Sequence, residues 1–296
     1  MAYQPLKASV YQSLYLQTAG QNLIDLIDLI ELKDDEYESR LDFAAVNAEF
    51  SAKAAQNPAG AVVDLAEFIY FTYSNPLGSA WASSSLRDSD WDGPDQLADL
   101  LQTTPLDAAQ SAILAGFNYK FAGPIDATVD ANLGGSTGAD VLVGRAGNDK
   151  LETGSGNDIL IGGQGDDQLI GGYGNDQMVG GQGNDYLNGQ WGTDTYFWGA
   201  SQGNDYIHDG LVNRGEQNTV VLRGLNPGDV SVELVTPENF SRFRLTILAS
   251  GETLTLDTSG WTYGVGSTSA PVRLVFADGG QWSFEEIVRQ TFRPQQ

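Results

Sequence analysis

The sequence predicts a multidomain α + β chain. An N-terminal all-α helical domain covers residues 1–122, a stack of short repeated strands covers 135–208, and a β-rich C-terminal cap covers 209–296. Three observations carry this. Apolar residues recur at helical spacing in the first part, a nine-residue period governs 135–197, and short β-branched runs between turn residues follow. Residues 123–134 (GPIDATVDANLG) read as a linker or lead-in strand.

In the first part, QNLIDLIDLIEL (21–32) places Leu23, Ile24, Ile27 and Ile30 on one stripe and Asp25, Asp28 and Glu31 elsewhere, which predicts an amphipathic helix. Residues 40–56 are alanine-rich and helical, ending near Pro58. A strongly apolar helix over 61–74 is closed by Asn75-Pro76, and Thr104-Pro105 opens another helix to about Ala115. A bundle of four or five helices is expected. Between them, Asp88-Ser89-Asp90-Trp91-Asp92-Gly93 matches the D-x-D-x-D-G opening of a calcium loop, with Asp99 at the twelfth position. The alternative is a solvated acidic loop capping a helix that begins near Pro94.

The repeat is the most regular part of the chain. Cut every nine residues, it gives GSTGADVLV, GRAGNDKLE, TGSGNDILI, GGQGDDQLI, GGYGNDQMV, GGQGNDYLN and GQWGTDTYF. The fourth column is glycine, the sixth is Asp140, Asp149, Asp158, Asp167, Asp176, Asp185 and Asp194, and the eighth is large and apolar. A further copy, Gly203-Asn204-Asp205-Tyr206-Ile207, runs two residues out of step. Alternate strand residues face opposite ways, so column eight faces in while columns seven and nine face out. One triplet cannot fold alone, so the units must stack, two strands and two turns to an eighteen-residue coil. Stacking at about 4.8 Å lines up the turn aspartates. Two bare carboxylates at that separation repel by roughly 3–4 kcal/mol at an effective dielectric near 20. Counter-ions are required, and carboxylates beside glycine-freed carbonyls suit a hard cation such as calcium rather than a transition metal.

These units resemble the repeats-in-toxin, or haemolysin-type, calcium-binding nonapeptide G-G-x-G-x-D-x-U-x. The resemblance implies a parallel β-roll and a ligand set for each ion. One turn offers its second and fourth carbonyls and its aspartate, and the turn eighteen residues on offers its first and third carbonyls and its aspartate. Carried onto this chain, the first site takes Ser136, Gly138 and Asp140 with Thr153, Ser155 and Asp158. The second takes Arg145, Gly147 and Asp149 with Gly162, Gln164 and Asp167. The third takes Gly154, Gly156 and Asp158 with Gly171, Tyr173 and Asp176. The fourth takes Gly163, Gly165 and Asp167 with Gly180, Gln182 and Asp185, and the fifth Gly172, Gly174 and Asp176 with Gly189, Trp191 and Asp194. About five calcium ions result, one more if Asp205 joins Asp185, and another if the 88–99 loop also binds. Ser136, Arg145 and Gln190 replace glycine at second positions and Thr153 at a first position, which puts the turn's dihedral freedom at issue.

After the repeats, strands are expected over 219–223, 230–235, 243–248, 253–257 and 272–277, with a hairpin turn at Asp278-Gly279 and a closing helix over 283–292 capped by Ser283. This part resembles the region that ends many haemolysin-type proteins and would cap the last coil. Gly199-Ala200-Ser201-Gln202-Gly203 fits the hydrolase pattern G-x-S-x-G, near the only histidine, His208, but it coincides with the out-of-step repeat turn.

Net charge of −24 excludes nucleic acid and anionic membrane surfaces as partners, and zero cysteine excludes disulfides and thiolate chemistry. No apolar run is long enough to span a membrane, and the first thirty residues do not read as a cleavable signal peptide. The resemblance implies export through a type I secretion apparatus that reads an uncleaved C-terminal signal. The expected protein is extracellular or at the cell surface: a non-catalytic structural, surface-layer, matrix or adhesive component, with itself or cell-surface polysaccharide as further partner. The alternative is an enzyme or toxin, such as a carbohydrate-active hydrolase, in the helical part.

Overall fold

A computed structural model describes residues 28–31, 39–42, 44–74, 93–104, 106, 109–110, 113–114, 119–121, 130–208, 217–236, 242–258 and 272–292. The chain divides into two compact units, Met1–Phe117 and Asn118–Gln296.

The first unit is not all-α. Strand β1 (Asp28–Glu31) pairs antiparallel with β2 (Ser39–Asp42), where a helix over 21–32 was expected. Only Ile30 of that stripe falls in the strand, and so short a segment fits a strand as well as a helix once a partner strand is within reach. Helices α1 (Ala44–Gln56), α2 (Pro58–Ser74) and α3 (Gly93–Thr103) follow. The break between α1 and α2 is local chemistry: Asn57 Oδ1 accepts the Gly60 N–H at 3.1 Å, an N-cap with proline at the first helical position. Phe50, Val62, Leu65, Ile69, Leu97 and Leu101 are buried, and Lys53 pairs with Asp64 at 3.1 Å. Residues 109–110 and 113–114 are helical. No helix among the described residues is long and apolar enough to cross a membrane.

The second unit consists of two eight-stranded sheets. One runs β3 (Tyr119–Phe121), β5 (Val141–Ala146), β7 (Ile159–Gln164), β9 (Gln177–Gln182), β11 (Thr195–Gly199), β13 (Asn218–Arg223), β17 (Val272–Phe276) and β18 (Gln281–Ser283). The other runs β4 (Asn132–Gly134), β6 (Lys150–Ser155), β8 (Gln168–Tyr173), β10 (Tyr186–Trp191), β12 (Asp205–His208), β16 (Thr253–Asp257), β15 (Arg242–Ile247) and β14 (Val230–Leu234). Successive strands alternate between sheets and pair in parallel with the strand one coil away, as in Leu142↔Leu160 and Leu151↔Leu169. This is the parallel roll that the nine-residue period demands.

The sheets begin ahead of the first full nonapeptide: β4 lies within 123–134, where a linker or lead-in strand was expected, while β3 falls at Tyr119–Phe121, in the stretch expected to be helical. They also continue without interruption into the C-terminal strands: β13 joins β11 through Val220↔Tyr196, and β16 joins β12 through Leu256↔Ile207. One core therefore threads the whole unit, from Leu142, Leu151, Leu160, Leu169, Met178 and Leu187 through Tyr196 to Phe243, Leu254 and Leu274. Helix α4 (Phe284–Gln290) closes it, with Ser283 Oγ accepting the Glu286 N–H and Phe284 and Ile287 buried.

Candidate metal centre

The six-residue turns between strands form the two edges of the roll. Units one, three, five and seven build the odd edge, and units two, four, six and the out-of-step copy build the even edge. From the second unit onward, every second- and fourth-position residue has positive φ, including Arg145 at 77°, Gln190 at 71° and Ser201 at 68°. The turn thus keeps its shape where glycine is replaced, at the cost of holding a side chain in the left-handed region. Fourth-position glycine has no substitute. A Cβ on Gly174 would lie 1.5 Å from the Gly156 carbonyl oxygen of the coil before.

This geometry folds the aspartates inward into two columns. Each is at most 4% exposed, and from Asp158 onward each Oδ1 accepts the backbone N–H of the aspartate one coil earlier, while Asp149 Oδ1 accepts the Ala131 N–H. Asp167 Oδ1 takes the Asp149 N–H at 2.7 Å, and Asp185 Oδ1 takes that of Asp167 at 2.8 Å. The other oxygen is left over: Oδ2 of Asp149, Asp167 and Asp185 is buried and accepts no hydrogen bond among the described residues. It is aimed at a defined place. A Cβ on Gly162 would sit 2.3 Å from Asp167 Oδ2 and 2.5 Å from the Gly180 carbonyl oxygen. A Cβ on Gly144 would sit 2.4 Å from Asp149 Oδ2 and 2.5 Å from the Gly162 carbonyl oxygen. At each such point a carboxylate and a carbonyl converge on a space that first-position glycine leaves open. Two acceptors without a donor fit a hard cation and little else.

The electrostatics agree. Burial pushes Asp167 up to about 8, with the Asp149 N–H opposing and the charges of Asp185, Asp149 and Asp166 adding. Asp185 rises to about 7 and Asp205 to about 8, again chiefly by burial, and burial also raises Asp149. Asp158 rises only to about 6, because the Asp140 N–H and the Lys120 charge work against burial. No three His, Cys, Asp or Glu side chains cluster as metal ligands among the described residues. A cation here would be held by carboxylates together with backbone carbonyls.

The columns end differently. On the even edge Asp205 continues the ladder, its Oδ1 accepting the Asp185 N–H at 2.9 Å despite the longer spacing, and Glu252 accepts the N–H groups of Ser201 and Gly203. On the odd edge Asn218 follows Asp194 with a neutral amide oxygen, 2.7 Å from the Asp194 nitrogen. A second ladder runs through column five, where Asn148, Asp166 and Asn184 accept the N–H of Asp166, Asn184 and Asn204 in turn, at 2.8–3.2 Å, and Asn204 accepts the Thr253 N–H. Its signal, near-unbroken Asn or Asp beside the aspartate column, is plain in the sequence.

Asp88, Asp90 and Asp92 lie outside the described residues, and Asp99 is an exposed residue of α3. Gly199–Gly203 forms a turn of the roll instead of a nucleophile elbow, and His208 stacks on Tyr206 beside Asp257.

A family model of the RTX calcium-binding nonapeptide repeat (4 copies) matches residues 134–169, 161–196 and 170–207. Residues 134–207 are RTX repeats. RTX nonapeptides bind calcium and are typical of secreted proteins. A search of curated proteins returns no match to the chain.

Proposed function

We propose that this chain is a secreted protein whose roll folds on calcium outside the cell, and that it serves there as a structural, matrix or adhesive component. The observation that carries the first part is the bare, buried Oδ2 of Asp149, Asp167 and Asp185, each beside a glycine cradle. Calcium supplies charge neutralisation there. The chain's own residues do the rest: glycines open the cradle, the Oδ1 ladder fixes each carboxylate, and Leu151, Leu169 and Leu187 fix the coil spacing. The expected affinity is that of extracellular modules, roughly 10⁻⁴–10⁻³ M. At cytosolic calcium the roll stays unfolded, which suits passage through a type I secretion channel, and calcium binding to the folded state then drives folding outside. Circular dichroism of the full chain should show β signal rising cooperatively with millimolar calcium. Full β signal in excess chelator would refute this reading.

The non-catalytic role rests on composition. Residues before 122 contain neither His nor Cys, the usual proton shuttle and the strongest nucleophile. Calcium bridging between acidic surfaces gives so negative a chain a way to self-associate or to hold anionic polysaccharide. Light scattering with and without calcium tests assembly, and a chain monomeric throughout that also ignores cell-surface polysaccharide favours an enzyme.

A further inference from the structure

The two edges of the roll offer calcium unequal accommodation. On the even edge the cradles at Gly144, Gly162 and Gly180 are open, each with a bare carboxylate oxygen beside it. The odd edge begins otherwise. Lys120, from the strand before the first nonapeptide, places its Nζ 3.2 Å from Asp140 Oδ1 and donates to the Gly134 carbonyl at 3.0 Å. Asp140 Oδ2 accepts both the Ser136 N–H at 2.6 Å and the Ser136 hydroxyl at 2.7 Å. The Ser136 carbonyl in turn accepts the Ser155 N–H at 3.4 Å. Ser136 and Gly138 lack the positive φ that the later turns share. One coil on, the first position is Thr153 instead of glycine. Its side chain occupies the cradle and its hydroxyl donates to the Gly171 carbonyl at 2.7 Å.

We propose that the first two turns of the odd edge are closed to calcium by their own side chains, with the Lys120 ammonium standing where an ion would otherwise neutralise the column. A wholly buried Asp140 carboxylate already faces one positive charge and two hydrogen-bond donors, so a divalent ion there would meet an ammonium. At Thr153 the carbonyl an ion would use already has its donor. The roll therefore starts on a protein-made plug and takes calcium along the even edge and from Gly171 onward on the odd edge.

This inference rests on the calcium-folding reading above, and one experiment separates the two. Bound calcium is counted by equilibrium dialysis on the full chain at saturating calcium, with circular dichroism confirming the β signal. Asp140→Asn should bind as many ions as the parent. The triple variant Lys120→Met, Ser136→Gly, Thr153→Gly, which restores the glycine pattern and removes the ammonium, should bind two more. Should the triple variant fail to fold, Thr153→Gly alone should gain one, since six of the seven first positions already carry glycine. Equal counts in parent and variants, or the loss of an ion in Asp140→Asn, overturn this inference while leaving calcium folding intact. No bound calcium in any of them overturns both.

Discussion

The odd and even edges of the roll are built from one nonapeptide, yet they carry their charge in different ways. The even edge stacks Asp149, Asp167, Asp185 and Asp205, and burial raises all four. The odd edge begins against Lys120, passes Thr153 and ends on the neutral Asn218. Identical local geometry thus leaves one column dependent on outside cations, while the other is partly neutralised by residues at its ends. In a repeat fold the period fixes where the ligands stand, and the exceptions to the period decide how many of them are free to act.

The largest expected effect breaks both edges alike. Gly165→Ala on the even edge and Gly174→Ala on the odd edge each force a Cβ to within 2.0 Å or less of a backbone carbonyl, at φ of 122° and 137°. Each should cost more than about 3 kcal/mol and remove the calcium-induced β signal at any calcium level. Tolerance of either would mean that adjacent coils can separate at the turns.

Next come the aspartates, which distinguish the edges. Asp167 lies mid-column on the even edge, bonded through the ladder to both Asp149 and Asp185 with its Oδ2 in the open Gly162 cradle, whereas Asp140 is held by Lys120 and Ser136. Asp167→Ala should raise the calcium midpoint at least about tenfold, the equivalent of about 1.4 kcal/mol. Asp140→Ala should raise it much less. Equal shifts would erase the distinction between the edges.

Acidity sharpens the same contrast without mutation. Folded-state values near 8, 7 and 8 for Asp167, Asp185 and Asp205 lie far above the ordinary 3.8. A raised value means that the metal-free fold favours the protonated form. Its stabilisation is complete below about pH 4 and is lost as pH rises through 8. In calcium-free buffer, β signal should therefore grow as pH falls from 8 toward 4, with Asp158, near 6, contributing later on the way down. With calcium present the order reverses, because binding must displace those protons, so apparent affinity should climb up to about pH 8. A β signal independent of pH in calcium-free buffer would mean that these carboxylates are not buried in the metal-free state.

How much of this was legible follows from range along the chain. The period gave the coil, the inward column and the aspartate ladders, since each depends only on residues one coil apart. Strands β13 to β17 and the Ser283 cap were visible in β-branched runs and a local capping signal. What escaped depends on distant partners. Pairing between Asp28–Glu31 and Ser39–Asp42 overrode a short helical stripe. Lys120 acts on Asp140 from outside the repeat. Column nine is apolar in all four odd units (Val143, Ile161, Val179, Phe197) and column seven in the first two (Val141, Ile159), whereas the even units read KLE, QLI and YLN. Val141, Val143, Ile159 and Ile161 are accordingly buried on the outward side of their sheet, while Glu152 is exposed.

The smallest effect concerns Arg145, the even edge's own exception. Its φ of 77° differs from the 122° and 112° of Gly163 and Gly172 at the same turn position, so the side chain draws the turn toward the left-handed helical basin. Holding a non-glycine residue there costs roughly 1–2 kcal/mol. Burial also lowers the guanidinium's affinity for its proton, a further sign of an uncomfortable charge. Against this, glycine adds unfolded-state entropy worth roughly 0.5–1 kcal/mol. The balance predicts that Arg145→Gly stabilises the calcium-loaded roll by less than about 1 kcal/mol and shifts the calcium midpoint slightly downward. Gln190→Gly, on the odd edge at φ 71°, should do the same. If Arg145→Gly destabilises while Gln190→Gly stabilises, the guanidinium contributes something the turn needs. The even edge would then have a basic residue of its own, at its start, answering Lys120 on the other side.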